Sequence, residues 1–287
     1  MAWLDDLRRR LGGQGGDGPP RAAGRVRGLP PSSNGASSLH LRWDIDPQLL
    51  DVAVNLTVID APQVERLYFW ALQADFCDSR GRPAGGAHLG LQWHPRYPGS
   101  TAVNWGGYAA GGGELHGSAS ALPSALGNHN TRDYPWQADR GYRLTIAPAG
   151  TGPGEGPADA YPPGTLPDGL TAWRAAVTDL VTGATTVVRD LYVPGERISG
   201  AVVWSEVFAR CDDPSVAVAW WDPAASTVGG GRIRPHRAGV NYQSQPDGGC
   251  ANTNSSVGGG GLVQRTGCER TTPQGTVLPW PSVGAPG

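Results

Sequence analysis

The sequence contains no lysine, only one methionine and only three phenylalanines in 287 residues. Its 23 basic residues are therefore all arginine, which we interpret as the codon usage of a GC-rich genome. With a net charge of −2 and a pI near 6.3, the chain also lacks the broad basic surface of a nucleic-acid-binding protein. We predict no nucleic-acid partner.

Long apolar segments are absent as well. No run approaches the length that spans a membrane, and residues 1–11 are too short and too charged to form the apolar core of a secretory signal. The chain is therefore predicted to be cytoplasmic. Export by a non-classical route, or translation from a different start codon, remains the alternative.

Several catalytic motifs are missing. The sequence has no phosphate-binding P-loop, no G-x-S-x-G elbow, no H-E-x-x-H pair and no glycine pattern of a dinucleotide-binding fold. The corresponding nucleotide-dependent, hydrolase and metalloprotease classes are set aside. We expect no cofactor and no metal site.

Glycine, proline and large aromatics are abundant instead, with 44 Gly, 26 Pro, 11 Trp and 8 Tyr. Much of the Gly and Pro separates short segments in which apolar and polar residues alternate, as they do in half-buried strands. We predict an all-β protein, a two-sheet antiparallel β-sandwich (jelly roll) over residues 39–278. From residue 244 onward we expect mostly loop, with a frayed tail at 279–287.

A short amphipathic helix is predicted before the sandwich. Trp3, Leu4, Leu7 and Leu11 form one stripe, and residues 12–38 are typical of a flexible, disordered linker. This segment is either a frayed terminus or a docking element for a protein or membrane surface.

Two segments carry a resemblance to known folds. Tyr142–Ile146 and Trp173–Asp179, followed by the hairpin pair Thr182-Gly183, resemble concanavalin A-like and laminin G-like jelly rolls. The wider texture of residues 39–222 is similar to bacterial sandwich proteins of unknown function. The acidic strand motif of the glucanases in that superfamily is absent, so the resemblance implies the fold more than an activity.

Polar side chains on otherwise apolar strands give the leading functional hypothesis. Lectins stack aromatic rings on sugars and bind their hydroxyls with amides and carboxylates. We therefore predict a non-catalytic, lectin-like protein that binds an oligo- or polysaccharide. Its candidate ligand-binding residues are Gln73, Gln92, Asn104, Trp105, Trp136, Trp204 and Glu206.

Two alternatives stay open. Glu206 and Asp75 could form the carboxylate pair of a glycoside hydrolase or polysaccharide lyase, which requires a separation of about 5–9 Å. A purely structural or protein-docking sandwich is the other alternative. Residues 128–133 are rich in oxygen donors and could hold Ca²⁺, although a turn fits them better.

Four cysteines allow three disulfide pairings. Cys77 and Cys211 each end a predicted strand and could meet across a sheet, while Cys250 and Cys268 bracket a Gly/Asn/Ser-rich loop. Disulfides are rare in the cytoplasm, so a bonded pair would count against the predicted location.

Overall fold

The computed structural model describes residues 26–46, 48–150 and 169–281. These residues form sixteen strands and one short 3-10 turn, Pro98–Ser100. The strands are β1 Ser37–Trp43, β2 Leu49–Asp60, β3 Tyr68–Cys77, β4 Pro83–Trp93, β5 Thr101–Ala109, β6 Thr131–Asp133, β7 Gly141–Pro148, β8 Thr171–Asp179, β9 Thr185–Val193, β10 Arg197–Val207, β11 Val216–Thr227, β12 Arg232–Ile233, β13 Arg237–Tyr242, β14 Thr253–Gly258, β15 Gly261–Thr266 and β16 Val277–Pro279.

The strands form two layers. The first sheet has the order β16-β13-β1-β10-β3-β4-β5-β6, and the second has the order β14-β15-β11-β2-β7-β8-β9, with β12 beside β11. A single residue pair, Ile198 with Leu49, joins the two sheets. Every pairing between the described strands is antiparallel, which confirms the predicted all-β sandwich.

One large core fills the space between the sheets. On β3 the even-numbered side chains, from Tyr68 to Phe76, point into it, and on β2 the even-numbered side chains from Val52 to Val58 meet them. Because strand residues alternate sides, the odd-numbered residues of β3 face away from the second sheet. We call this side of the first sheet the outer face.

The C-terminal part differs from the prediction of mostly loop. Residues Thr253–Gly258 and Gly261–Thr266 form a hairpin, and β15 pairs with β11 in the second sheet. Gly259 and Gly260 make its two-residue turn, with φ of 59° and 75°. Two consecutive positive φ angles match a turn that glycine adopts without strain.

The N-terminal part is described only from residue 26. The predicted helix at residues 2–11 and the first part of the predicted linker lie outside the described residues. Within the linker range, Gly28 accepts a hydrogen bond from the Cys211 amide at 2.8 Å, and its own amide donates to Asp212 at 2.9 Å.

One disulfide joins Cys211 to Cys250. Neither of the two pairings favoured from the sequence is present. Cys77 is buried at the end of β3 and Cys268 lies beyond β15, and neither forms a disulfide. The bond links the end of the β10 segment to the loop between β13 and β14, which sequence spacing did not indicate.

Candidate functional site

Polar and aromatic side chains form an ordered array on the outer face. Strand register places Glu206 of β10 opposite Phe69 of β3, and Phe69 opposite Gln92 of β4. Side chains directly opposite each other on one face lie about 5 Å apart. The next two cross-strand rows are Trp204, Ala71, Gly90, Asn104 and then Val202, Gln73, His88, Gly106.

The centre of the array is apolar. Phe69, Ala71, Val202 and Trp204 form a second buried cluster, separate from the main core. The Phe69 and Trp204 rings pack edge to face with centroids 4.9 Å apart. These four side chains form what we call the floor of the outer face.

His88 adjoins the floor. Its ring contacts the rings of Phe69 and Trp204, each with a centroid distance of 5.5 Å. Burial in this setting lowers the pKa of His88 to about 4. The imidazole is therefore neutral at pH 7 and adds no positive charge to the face.

Gln73 is held between an indole and a carboxylate. Its Oε1 accepts a hydrogen bond from Trp204 Nε1 at 3.2 Å, and its Nε2 donates to Asp75 Oδ1 at 2.8 Å. Arg42 on β1 lies 3.9 Å from the other oxygen of Asp75. The Gln73 amide thus has a fixed orientation, and Asp75 is an oriented, partly exposed carboxylate beside it.

Two further amides lie on the neighbouring strands. Gln92 and Asn104 are diagonal neighbours on β4 and β5, and Asn104 Nδ2 donates to Thr131 Oγ1 at 2.8 Å. Both side chains are more than nine-tenths buried. Gln92 Oε1 and Asn104 Oδ1 have no hydrogen-bond partner among the described residues. Buried carbonyl oxygens of this kind are usually paired, so they indicate a place for a donor group.

Glu206 marks one end of the array. Its Oε1 accepts a hydrogen bond from Asn34 Nδ2 at 3.0 Å, and the side chain is partly exposed. Asp75 lies opposite Gly200, six residues further along β3 than Phe69. Glu206 and Asp75 are therefore about 20 Å apart along the strand direction, too far for the carboxylate pair of a glycosidase.

The structure brings together five of the seven candidate ligand-binding residues. These five are Gln73, Gln92, Asn104, Trp204 and Glu206, and all lie on the outer face. Trp105 and Trp136 belong to the main core instead, where the Trp136 ring packs edge to face on Trp70. His40, Arg42 and His88 also lie on the outer face. Their alternate positions on β1 and β4 were the signal that could have identified them.

The oxygen-rich loop before β6 forms a turn. Asn128 Oδ1 accepts hydrogen bonds from the Asn130 and Thr131 amides, at 2.8 and 3.0 Å. Asp133 Oδ1 accepts one from the Ala125 amide at 2.9 Å. Side-chain oxygens that bind the local backbone are typical of Asx turns. Across the described residues no group of three or more His, Cys, Asp or Glu side chains could hold a metal ion.

No helix within residues 26–46, 48–150 and 169–281 is long and apolar enough to cross a membrane. The chain matches no protein-family model and no curated protein sequence.

Solved structures similar to the chain include two of scytalido-glutamic peptidase with transition-state analogs, one of them peptide-based. The peptide-based complex has 10% identity and a TM-score of 0.44, covering 80% of this chain and 98% of that one. The other has 10% identity and a TM-score of 0.39, covering 85% and 98%. A third is SCP-B, an Eqolisin-family peptidase with the tripeptide Ala-Ile-His, at 9% identity and a TM-score of 0.40, covering 80% and 96%.

The prediction of a carbohydrate-binding, lectin-like protein with an oligo- or polysaccharide partner is wrong. The three solved structures named above are peptidases in complex with a peptide or a transition-state analog. The geometry of the described residues argues against sugar binding, because Trp105, Trp136 and Trp204 are each less than 5% exposed and offer no open ring face for a sugar. The glycoside hydrolase alternative gains no support, since its two carboxylates stand at opposite ends of the array.

Proposed function

We propose that the outer face of the first sheet binds an extended polypeptide segment. The observation that carries this proposal is the pair of buried, unsatisfied carbonyl oxygens, Gln92 Oε1 and Asn104 Oδ1, beside an apolar floor. Backbone N–H groups are donors of the kind that such oxygens match. We also propose that the sandwich belongs to the concanavalin A-like class of folds.

The dimensions of the array suit a short peptide. From β1 to β5 the face crosses five strands spaced about 4.8 Å apart, so a segment of about six extended residues spans it. Gln92 and Asn104 lie at the β5 end, and Glu206 lies towards the β1 end. A bound peptide would therefore meet amides at one end and a carboxylate at the other.

Peptide binding can be tested with the full chain and a pool of random octapeptides. Bound peptides are separated by size exclusion and identified by mass spectrometry, and the best one is labelled for titration. We expect the double variant Gln92→Leu/Asn104→Leu to bind it at least 10-fold more weakly. The matched control is Gln63→Leu, an exposed amide outside the array. Absence of retained peptides, or equal affinity of a folded double variant, would refute the proposal.

Peptide-bond hydrolysis is a second candidate, favoured by the hydrogen-bonded pair of Gln73 and Asp75. The Asp75 carboxylate can take a proton from water as the water oxygen bonds to the peptide carbonyl carbon. The second N–H of the Gln73 amide can stabilise the negative oxygen that forms. Asp75 then returns the proton to the leaving nitrogen as the C–N bond breaks.

Hydrolysis can be measured with internally quenched fluorescent peptides between pH 3 and pH 8. Loss of the base typically costs 10²-fold or more, so Asp75→Asn should lower the cleavage rate by about that factor. Glu65→Gln is the matched control, because that exposed carboxylate lies outside the array. Cleavage that survives Asp75→Asn, or no cleavage by the unmodified chain of a peptide it binds, would exclude this candidate.

A further inference from the structure

Two arginines from different sheets lie at the same edge of the sandwich. Arg132 is on β6, an end strand of the first sheet, and Arg189 is on β9, an end strand of the second. At this edge β9 contacts β5, the neighbour of β6. Arg132 is opposite Val103 and Arg189 is opposite Ala175, and both partners belong to the main core. Because opposite residues share one side of a sheet, both arginines point to the interior side.

A β-bulge in β9 gives Arg189 this direction. The pairing of β8 with β9 shifts between Ala175 and Ala176, so β9 holds one extra residue just before Arg189. Without that extra residue, Arg189 would be opposite Arg174 and would point away from the interior. Bulges re-aim side chains in this way, and they are common beside functional sites. The bulge therefore places a cation at the inner margin of the second sheet.

Both guanidinium groups have donors without an acceptor. Arg189 is 6% exposed, and its Nη2 donates to Asn130 Oδ1. Arg132 Nη2 donates to the His129 carbonyl at 3.2 Å. The Nε atoms of both arginines are buried and have no hydrogen-bond partner among the described residues. Buried donors of this kind are usually paired, so the two Nε atoms indicate a place for an acceptor.

The charges of the two arginines are also incompletely balanced. Ion pairs between described residues involve neither of them. Asp190, the next residue on β9, accepts hydrogen bonds from Arg174 at 2.7 and 2.9 Å instead. Burial lowers the pKa of Arg189, the charge of Arg132 lowers it further, and the charge of Glu114 acts in the opposite direction. Two guanidinium charges against one carboxylate leave a positive charge to be balanced.

We propose that Arg132 and Arg189 bind a small carboxylate anion at this edge of the sandwich. A carboxylate offers two oxygens to the planar forks of guanidinium groups, and its single negative charge balances the remaining positive charge. Because Arg189 is almost inaccessible, the anion is of the size of formate or acetate. The site does not depend on the proposed function, since neither arginine lies on the outer face.

The full chain can be titrated with carbon-13-labelled acetate, with binding followed by NMR line broadening. Sodium chloride keeps the ionic strength constant. We expect Arg189→Met and Arg132→Met each to weaken acetate binding about 10-fold or more, the effect of losing a hydrogen bond between charged groups. The matched control is Arg66→Met, at an exposed arginine outside the site, which should leave the affinity unchanged.

Urea unfolding of the same proteins separates binding from folding. Methionine removes the charge and keeps an unbranched side chain, so Arg189→Met should be at least as stable as the natural chain in chloride alone. Added acetate should raise the unfolding midpoint of the natural chain and of Arg66→Met, and leave that of Arg189→Met unchanged. If Arg189→Met does not fold, the comparison of Arg132→Met with Arg66→Met decides.

Three results would overturn the proposal. The first is that the natural chain binds no acetate. The second is that folded Arg189→Met or Arg132→Met binds acetate with the affinity of the natural chain. The third is that inorganic phosphate, titrated under the same conditions, binds more tightly than acetate, which would exclude the assignment to a carboxylate.

Discussion

The imidazole of His88 gives the outer face a pH-dependent contribution to stability. The pKa of His88 falls from 6.5 to about 4 because burial disfavours its charged form. The folded protein therefore binds this proton more weakly than the unfolded chain. His88 contributes its full share of stability above pH 6.5, and that share is lost as the pH falls towards 4.

We expect His88 to account for about 2 kcal/mol of the stability lost between pH 7 and pH 4, because partial exposure screens part of the full effect. Chemical denaturation at several pH values measures the free energy of unfolding. That free energy should change less with pH in the His88→Gln variant than in the natural chain. The exposed His129 provides the control His129→Gln. If the free energy of unfolding changed equally with pH in the natural chain and in His88→Gln, His88 would not be the source of the pH dependence.

Alternation along a strand explains which site residues the sequence could identify. Gln73, Gln92 and Glu206 share the outer face because each occupies the polar phase of a period-two pattern. Asn104 and Trp105 are consecutive on one strand, so they necessarily point to opposite sides, and only Asn104 reaches the face. Trp136 follows β6 in a loop, where no period predicts direction. Its position depends on contacts with Trp70, which are distant in sequence.

At the scale of the element, the hairpin between β8 and β9 was predicted correctly from Thr182-Gly183. Gly183 has φ of 73° and donates its amide to the Asp179 carbonyl at 2.8 Å. Asp179 Oδ1 accepts hydrogen bonds from the Val181 and Thr182 amides, which fixes the turn. Such local signals are sufficient to predict the hairpin, because the hydrogen bonds that close its turn join residues that are neighbours in sequence.

Gly183→Ala is expected to lower the free energy of unfolding by about 1 kcal/mol, since alanine is strained at positive φ. Gly113→Ala is the matched control, because Gly113 has ordinary φ and no atom within 4 Å of an added Cβ. Thermal and denaturant unfolding of both variants measures the difference. Equal stability of the two would show that the turn does not constrain Gly183.

The hairpin of β14 and β15 was not predicted because its residues have low strand propensity. Thr253–Gly258 consists largely of Asn, Ser and Gly, which favour turns. Its place in the sheet comes from β11, to which β15 pairs from Val216 to Trp220. A pairing that joins segments about 45 residues apart leaves no local pattern in the sequence.

The disulfide fastens this C-terminal region to the first sheet. Cys211 and Cys250 are separated by 39 residues. A crosslink that closes a loop of this length contributes about 4 kcal/mol in the chain-entropy account. We expect Cys211→Ser/Cys250→Ser to lose stability of that order in denaturant titrations, while Cys268→Ser, outside the bond, changes little. A reducing agent that leaves the unfolding midpoint of the natural chain unchanged would contradict this.

At the scale of the whole molecule, the two-layer architecture followed from alternation and turns, but the order of strands within each sheet did not. That order is set by contacts across the core. Gln264 of β15 makes two such contacts, because its side chain is buried in the second sheet and forms hydrogen bonds with two strands of the first sheet. Its Oε1 accepts from Ser205 Oγ at 2.8 Å, and its Nε2 donates to the Leu39 carbonyl at 2.9 Å.

Gln264 also accepts a hydrogen bond from Trp220 Nε1 at 2.9 Å, so one amide satisfies three buried polar groups in two layers. Gln264→Leu keeps most of the volume and removes all three hydrogen bonds, which should cost about 3 kcal/mol or more. Adding Ser205→Ala removes one orphaned hydroxyl and should recover about 1 kcal/mol. Gln63→Leu, an exposed glutamine, is the control and should be neutral. Calorimetry and denaturant unfolding measure these changes, and a loss below about 1 kcal/mol for Gln264→Leu would mean that the Gln264 hydrogen bonds do not help to hold the two sheets together.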